Sequence, residues 1–227
     1  MRVSLPVLAL ASFVVASYTL LPTISQVGAV RHANTSTQAN DAASVEAPPA
    51  KCDCSGATSD SSDTASLCGD SRLGPANLPA TGSLGDLLKN YDPLGGLCPG
   101  EFLAKWTSGT HFQYPPSDGF QLSNTGSPIE GSTTLAQGIL IDRFGKPTGR
   151  FLAPAYTPFG QRALPPKSLG SKTDYHVYRV NTNGLTVLTG TIAAWFGQPG
   201  QGTQYTLQQG TTVQSLLDTG VLTEVTQ

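Results

Sequence analysis

The stretch that decides the fold spans residues 175–188 and reads YHVYRV-NTNG-LTVL. Its first part, Tyr175 to Val180, alternates and is rich in β-branched and aromatic residues, which is typical of a strand. Asn181 to Gly184 predicts a turn, and its Asn183-Gly184 pair is the strongest hairpin signal in the chain. Leu185 to Leu188 predicts the next strand. We therefore expect two strands joined by a tight hairpin turn.

Short elements are predicted on both sides of this stretch. Strands are expected over 191–195, 203–207 and 222–225, a strand or short helix over 135–141, and helices over 83–90, 99–106 and 213–217. The first of these helices has Ser83 as its expected N-cap and Asp86 in the capping-box position. The sum predicts an α+β fold, with a mixed, mostly antiparallel β-sheet core and short helices, preceded by a disulfide-bonded N-terminal extension.

The first residues of the chain predict export. Arg2 precedes an apolar run from Val3 to Leu21 with small residues near its end, which is the pattern of a signal peptide. A membrane anchor is the alternative, because about 20 apolar residues can span a bilayer. Pro6, the small residues and the presence of a basic residue on one side only favour the signal peptide over the membrane anchor. No stable membrane insertion is therefore expected. The predicted divisions are a signal peptide over 1–20, a disordered leader over 21–50, a cysteine-bearing segment over 51–100 and the main domain over 101–227.

Four cysteines lie in the first half of the chain, and in an exported protein an even number predicts disulfides. Cys52 and Cys54 are too close in sequence to bond to each other, so one pairs with Cys68 and the other with Cys98, in an order that the spacing leaves open. A zinc site is the alternative, but the spacing matches no common zinc motif. Asn34 begins a glycosylation sequon, which also fits export.

Composition and motifs narrow the class of function. Only 12% of the residues are charged and the net charge is -2, which argues against binding to nucleic acid. The sequence contains no GxSxG elbow, Walker loop, HExxH helix or CxxC pair. The three histidines are too widely spaced to predict a metal triad.

Positive charge is concentrated in a loop-rich stretch, Gly138 to Pro166, which holds four of the 13 lysines and arginines. Arg143 and Arg162 are candidates to bind a pyrophosphate, because the guanidinium group matches phosphate oxygens in geometry. Lys146 and Arg150 are expected to be surface residues.

Aromatic and amide side chains complete the set of candidates. Phe144, Phe151 and Trp195 offer flat faces for a base. Gln204 follows a glycine-rich loop that would let a ligand approach the backbone closely. Each residue alone also fits a plainer role, since most arginines are solvated and most aromatic side chains belong to the core.

An ordered series of motifs runs over residues 100–225: Tyr114-Pro-Pro-Ser-Asp-Gly-Phe120, Asp142-Arg-Phe-Gly145 with Pro147 and Gly149, Phe151-Leu152, Arg162-Ala-Leu-Pro-Pro166, Tyr175-His-Val-Tyr178 and Ile192-Ala-Ala-Trp-Phe-Gly-Gln-Pro-Gly-Gln-Gly-Thr-Gln-Tyr205. This series resembles the tuberculosis necrotizing toxin family, and in particular its secreted fungal NADases. Two positions depart from the family's pattern. Gln201 stands where a second glycine is expected, and Ala155-Tyr156 stands where a glycine is common.

The resemblance implies an enzyme that hydrolyses the bond between nicotinamide and ribose in NAD+, and also in NADP+, with the dinucleotide as substrate and no cofactor. It implies Gln204 and Arg143 as catalytic residues, and Phe144, Phe151 and Arg162 as residues that bind the substrate. The family further suggests secretion with retention at a cell or spore surface, a homodimer, and a calcium site near the C-terminus. The last 50 residues contain only two acids, Asp218 and Glu224, too few to predict calcium here.

Two other functions stay open from the sequence. An NAD-dependent ADP-ribosyltransferase would use the same pocket with a protein as acceptor. Such enzymes resemble this chain less well, since they usually place a glutamate near the ribose and this chain has Gln204. A non-catalytic secreted surface protein held together by its disulfides is the other alternative.

Overall fold

The computed structural model describes residues 52–58, 60–170 and 175–225, which belong to one compact unit, Pro48–Gln227. The predicted signal peptide, the leader and the Asn34 sequon lie outside these residues. No helix in the described ranges is both long enough and apolar enough to cross a membrane.

The secondary structure elements of the described residues are short. The α-helices are α1 (Gly82–Leu87), α2 (Pro99–Trp106) and α3 (Val213–Asp218). The strands are β1 (Thr107–Ser108), β2 (His111–Phe112), β3 (Glu130–Leu135), β4 (Leu140–Phe144), β5 (Phe151–Pro154), β6 (Tyr175–Val180), β7 (Leu185–Thr191), β8 (Thr203–Thr206) and β9 (Leu222–Val225). Single turns of 3-10 helix are found at Leu67–Gly69, Ser71–Leu73, Ser117–Gly119, Phe159–Arg162 and Pro166–Leu169.

Three of the predicted elements are wrong in detail. The strand expected over 191–195 is not formed: β7 ends at Thr191, and Ile192 and Trp195 make only isolated bridges. The first helix begins earlier than expected, with Thr81 as its N-cap instead of Ser83. The apolar run over 135–141 is neither one strand nor a helix, because Gly138 adopts a φ of +87° and the chain turns there. The run therefore ends β3 and begins β4.

Seven strands form one sheet in the order β3-β7-β8-β5-β4-β6-β9, and β1 and β2 form a separate two-stranded ladder. Every pairing within the seven-stranded sheet is antiparallel. The predicted α+β class with a mostly antiparallel sheet is confirmed.

The predicted hairpin between β6 and β7 is wrong. The turn after Val180 exists, but β6 pairs with β4 and β9, while β7 pairs with β3 and β8. A type I′ hairpin turn needs positive φ at both central residues. Here Gly184 has a φ of +125°, but Asn183 is not among the residues with positive φ. The Asn183-Gly184 turn therefore connects two strands that are not neighbours in the sheet.

This connection requires a curled sheet. β6 and β7 are four strand spacings apart in the sheet order, which would be about 19 Å in a flat sheet. Only five Cα steps separate Val180 from Leu185, and they span at most about 18 Å when fully extended. The sheet curls around one core cluster to which β6 contributes Val180 and β7 contributes Val187, and which α3 covers with Val213.

The cysteine-bearing segment packs on the residues that follow it through a second core cluster. Its Leu73 and Leu94 share a buried cluster with Phe102 of α2, Phe112 of β2 and Phe196. This segment therefore shares a core with the residues that follow it.

The disulfides join Cys52 to Cys98 and Cys54 to Cys68. The sequence had left this order open. The first bond spans 46 residues and the second spans 14. Cys98 is also the N-cap of α2, where its backbone N–H donates to Glu101 Oε2 at 3.0 Å.

Because a longer closed loop restricts the unfolded chain more, we expect the two disulfides to differ in their contribution to stability. Replacing Cys52 and Cys98 by serine should lower the free energy of unfolding by about 4 kcal/mol, against about 3 kcal/mol for the Cys54 and Cys68 pair. Serine at position 98 keeps a residue suited to the N-cap. Urea titrations of both double variants measure the difference, and a larger loss for the shorter loop would contradict this ranking.

Candidate active site

The middle strands present three residues of the site on one face of the sheet. Asp142 of β4 pairs with Ala153 of β5, and Phe151 of β5 pairs with Thr206 of β8. Since side chains alternate along a strand, Asp142, Phe151 and Gln204 point away from the core under α3.

A cavity of about 540 Å³ opens over this face. Its walls come from the sheet, from the loop after Tyr114 and from the 3-10 helix that ends at Arg162. The lining residues are Tyr114, Pro115, Asp118, Gly119, Asp142, Arg143, Phe144, Gly145, Phe151, Leu152, Ala153, Arg162, Ala163, Leu164, Ser168, Ile192 and Gln204. The structure thus brings all five residues named from the sequence to the cavity, although their roles stay predictions.

Asp142 lies at the base of the cavity and joins three segments of the chain. Its side chain is fully buried, and Oδ2 accepts hydrogen bonds from the Tyr156 N–H at 2.7 Å, from Arg162 Nη2 at 2.8 Å and from the Tyr175 hydroxyl at 2.7 Å. The other oxygen, Oδ1, lies 2.7 Å from Arg162 Nη1. That contact is close enough for an ion pair but is not aligned as a hydrogen bond, so Oδ1 has no hydrogen-bond donor among the described residues.

The same base carries a cluster of rings. Phe144 contacts Tyr175 with ring centroids 4.7 Å apart and Phe159 at 4.8 Å, and the Arg162 guanidinium lies 5.0 Å from the Phe144 centroid. Burial, with the hydrogen bond to Asp142, raises the pKa of the Tyr175 hydroxyl, so the hydroxyl stays a donor at neutral pH. Phe144 is only 6% exposed, and it forms the floor of the cavity more than a free face for stacking.

Arg162 is held by the protein itself. In addition to its pair with Asp142, Nε and Nη2 donate to the Thr157 carbonyl at 2.9 and 2.8 Å. Its side chain is 5% exposed. The geometry gives Arg162 the structural role of closing the cavity base, and leaves few of its donors for a phosphate.

Arg143 differs from Arg162 in that the described residues provide no carboxylate partner for it. Its Nε donates to the Lys146 carbonyl at 2.8 Å and Nη1 donates to the Phe151 carbonyl at 2.7 Å. Nη2 has no hydrogen-bond partner within the described ranges and packs on Gly149, where an added Cβ would lie 1.9 Å from it. Burial lowers the pKa of the Arg143 guanidinium. A partly desolvated cation with unused donors is suited to bind an anion.

The amide of Gln204 has a defined orientation. Nε2 donates to the Asp118 carbonyl at 2.9 Å and lies 3.3 Å from the Thr206 hydroxyl. A backbone carbonyl can only accept, so the nitrogen must face Asp118 and the amide cannot be flipped. Oε1 has no donor among the described residues and is therefore available to accept a hydrogen bond from a bound molecule or water.

Two aromatic side chains on the walls are more accessible than Phe144. Phe151 is partly exposed, with the Arg150 guanidinium 4.9 Å from its ring centroid. Tyr114 is 54% exposed and contacts Phe196 with ring centroids 5.4 Å apart. Trp195, which the sequence offered as a third stacking face, lies elsewhere: it packs on Trp106 at 5.3 Å and does not line the cavity.

Three residues of the site were missed or misjudged from the sequence. Asp142 was named only as part of the Asp142-Arg-Phe-Gly145 motif and was given no role, yet it organises the cavity base. Arg150, expected at the surface, forms an ion pair with Asp118 at 2.5 Å. The only sequence signal for this pair was that Arg150 stands beside Phe151 and Asp118 stands in the Tyr114–Phe120 loop.

The two departures from the family's pattern fall on backbone that suits glycine. Gln201 has a φ of +71° and Tyr156 a φ of +67°, a region that residues with a Cβ seldom adopt. Tyr156 is fixed there by its N–H bond to Asp142. Gln201 donates its N–H to the Ile192 carbonyl at 2.9 Å, and Gln204 stays in register on β8.

The described residues contain no group of three or more His, Cys, Asp or Glu side chains that could hold a metal ion. His176 Nδ1 lies 2.6 Å from Glu224 Oε1, an isolated pair between β6 and β9.

Comparison with known proteins assigns the family. The family model described as tuberculosis necrotizing toxin (TNT) matches residues 134–225. A relative from Aspergillus fumigatus, the conidial surface nicotinamide adenine dinucleotide glycohydrolase nadA, is 45% identical over 166 residues, which are 69% of this chain and 69% of that protein. The chain belongs to the TNT family.

Solved structures of lower similarity were also found. The TNT domain complexed with its immunity factor IFT has a TM-score of 0.41 and 25% identity, over 50% of this chain and 61% of that chain. Rhs1-CT in complex with its cognate immunity protein RhsI1 has a TM-score of 0.31 and 18% identity, over 47% of this chain and 85% of that chain. All five site residues named from the sequence lie inside the TNT match, whereas the loop that carries Asp118 precedes it.

The contacts of Asp142 predict a graded loss of stability in this TNT-family protein. Asp142→Ala leaves the Arg162 charge buried without a partner and should lower the free energy of unfolding by about 3–5 kcal/mol. Tyr175→Phe removes one hydrogen bond to the carboxylate and should lower it by about 2 kcal/mol. Urea unfolding of the two variants tests this order. A loss below about 1 kcal/mol for Asp142→Ala would show that the pair does not organise the site.

Proposed function

We propose that this chain is a secreted NAD+ glycohydrolase, which cleaves the bond between nicotinamide and ribose and releases nicotinamide and ADP-ribose, with NADP+ as a second substrate. Membership of the TNT family and the 45% identity to a protein named as an NAD glycohydrolase support the activity. The cavity over the sheet is the proposed site of the reaction.

The observation that carries the proposal is the distribution of charge in the cavity. Both acidic residues that line it are paired with arginines, Asp118 with Arg150 and Asp142 with Arg162. Beside these paired acids the cavity offers the neutral Oε1 of Gln204, which accepts no hydrogen bond within the described residues and can act on a substrate. Such a site supplies neither a general acid nor a strong base, and the proposed reaction needs no general acid.

The nicotinamide ring of NAD+ carries a positive charge. When the bond between ribose C1′ and the ring nitrogen breaks, the bonding electrons leave with the ring, and nicotinamide departs as a neutral molecule without a proton. The positive charge passes to the ribose, whose transition state resembles an oxocarbenium ion. Water then bonds to C1′ and its proton passes to solvent.

Gln204 is the proposed catalytic residue. Oε1 accepts a hydrogen bond from the attacking water or from a ribose hydroxyl, while the bond from Nε2 to the Asp118 carbonyl keeps the amide in place. Holding the reacting atoms in this way lowers the entropic part of the barrier. A neutral acceptor also avoids trapping the cationic ribose as a covalent adduct.

The remaining lining residues bind the substrate. Arg143 contacts the diphosphate through Nη2, and Phe151 stacks on the nicotinamide or excludes water from it. Phe144 forms the floor below the reacting ribose. Arg162 holds this floor in place through its ion pair with Asp142. This indirect role differs from the direct phosphate contact that the sequence suggested.

We also propose an extracellular site of action. Two disulfides favour an oxidising compartment, and the Aspergillus fumigatus relative is named as a conidial surface protein. Residues 1–20 are the proposed signal peptide, 21–50 the leader, and 101–227 the catalytic domain.

A direct test is to incubate the purified protein with NAD+ and to follow free nicotinamide and ADP-ribose. We expect turnover by the unmodified protein, and a kcat lower by about 100-fold or more in Gln204→Ala, because the positioned acceptor is lost. Gln204→Glu should also be impaired, since its carboxylate repels the Asp118 carbonyl. Gln209→Ala, an exposed glutamine beyond β8, is the matched control.

Three outcomes would contradict the proposal in different ways. Unchanged turnover in Gln204→Ala removes Gln204 from the mechanism. Transfer of labelled ADP-ribose to a protein identifies a transferase, and no nicotinamide release at all favours a binding protein.

The packing of Arg143 on Gly149 gives a second test. In Gly149→Ala the new Cβ displaces the guanidinium, so KM for NAD+ should rise roughly tenfold or more, as in Arg143→Ala. The double variant should be no worse than Arg143→Ala, because both changes remove the same contact. Gly131→Ala on β3, where nothing lies within 4 Å of an added Cβ, is the control. A KM in Arg143→Ala equal to that of the unmodified protein would exclude Arg143 from substrate binding.

A further inference from the structure

The loop that carries Asp118 has an unusual backbone. Ser117, Asp118 and Gly119 have φ angles of +52°, +56° and +87° in succession. For residues with a Cβ this region costs about 1 kcal/mol or more each. Two such residues in a row need contacts from outside the loop to hold them.

Arg150 provides one of these contacts. Its Nη2 lies 2.5 Å from Asp118 Oδ2, and its Nη1 donates to the Leu207 carbonyl at 3.2 Å. Arg150 directly precedes β5 and Leu207 directly follows β8, so the guanidinium ties the loop to two strands of the sheet.

Asp118 transmits this contact to the catalytic amide. Its side chain binds Arg150, and its main-chain carbonyl accepts the hydrogen bond from Gln204 Nε2 at 2.9 Å. The position of one residue therefore fixes both the loop and the direction in which the Gln204 amide points. A shift of the loop would release Nε2 and let the amide rotate.

We propose that Arg150 is a positioning residue for the hydrolysis of NAD+: through its ion pair with Asp118 it holds the carbonyl that orients Gln204. This inference rests on the proposed function of the cavity. Arg150 itself is not among the lining residues, and it acts through Asp118 and Gln204.

The proposal separates stability from activity. The side chains of Arg150 and Asp118 are 30% and 42% exposed, so the ion pair contributes little to the free energy of unfolding. Misplacement of a catalytic group by about 1 Å can nevertheless lower kcat by a large factor. Loss of Arg150 should therefore reduce kcat in a protein that is still folded.

Arg150 has a second route to the substrate, through Phe151, which the experiment must distinguish from the route through Asp118. The guanidinium also lies 4.9 Å from the Phe151 ring centroid, and Phe151 is a proposed substrate contact. Asp118→Asn separates the two routes, because it removes the charge of the loop and leaves Arg150 beside Phe151. Asparagine also tolerates positive φ about as well as aspartate does.

The experiment compares Arg150→Ala, Arg150→Lys, Asp118→Asn and the double variant Arg150→Ala/Asp118→Asn, with Arg179→Ala as the control. Arg179 is an exposed arginine of β6, and the described residues offer it no ion pair. We expect Arg150→Ala to lower kcat roughly tenfold or more and to change KM by less than about threefold. Asp118→Asn should show a smaller fall, Arg150→Lys should recover part of the activity, and the double variant should be no slower than Arg150→Ala.

A second readout does not depend on turnover. The side-chain NH2 resonances of Gln204 in NMR spectra, assigned by their absence from Gln204→Ala, report the bond to the Asp118 carbonyl. We expect them to shift in Arg150→Ala and Asp118→Asn, and to stay in place in Arg179→Ala.

The proposal is overturned if Arg150→Ala keeps both the kcat and the Gln204 resonances of the unmodified protein. It is also overturned if Arg150→Ala changes only KM, because Arg150 would then act through Phe151. Full additivity of the effects of Arg150→Ala and Asp118→Asn on kcat in the double variant would overturn it as well. A loss of thermal stability as large as that of Asp142→Ala would make Arg150 structural. If the unmodified protein releases no nicotinamide, the proposed function fails, while the resonances still decide whether Arg150 orients Gln204.

Discussion

The buried ion pair between Asp142 and Arg162 is the constraint on which the cavity depends. One carboxylate in the middle of the sheet receives donors from Tyr156 in the turn after β5, from a 3-10 helix and from β6. Replacing a buried ion pair by apolar side chains often costs little stability, so the pair is better understood as fixing one arrangement of these segments. That arrangement lays the 3-10 helix over the sheet and leaves space above Phe144.

Three arginines near the cavity have different partners. Arg162 is neutralised inside the protein, Arg150 is neutralised at the rim by Asp118, and Arg143 has no carboxylate partner among the described residues. The result is a cavity with paired acids, one available cation and a neutral amide. This combination is suited to an anionic dinucleotide whose leaving group is already a cation.

The sequence predicted the class of fold and five residues that line the cavity, and it failed where contacts between distant residues decide the structure. The strand at Tyr175–Val180 follows from local alternation. The Asn183-Gly184 turn was misassigned, because the partners of β6 and β7 depend on how the whole sheet curls. Arg162 lines the cavity, but its ion pair with Asp142 was not foreseen, since no pattern in the sequence reveals that the two residues lie side by side.

The most direct test of the account is a crystal structure of the Gln204→Ala protein with NAD+. The account predicts that the nicotinamide ribose lies beside the space left by the Gln204 amide, with the diphosphate against Arg143 Nη2 and with the Asp142–Arg162 pair unbroken. NAD+ bound outside this cavity, or a diphosphate that displaces Asp142 from Arg162, would contradict it.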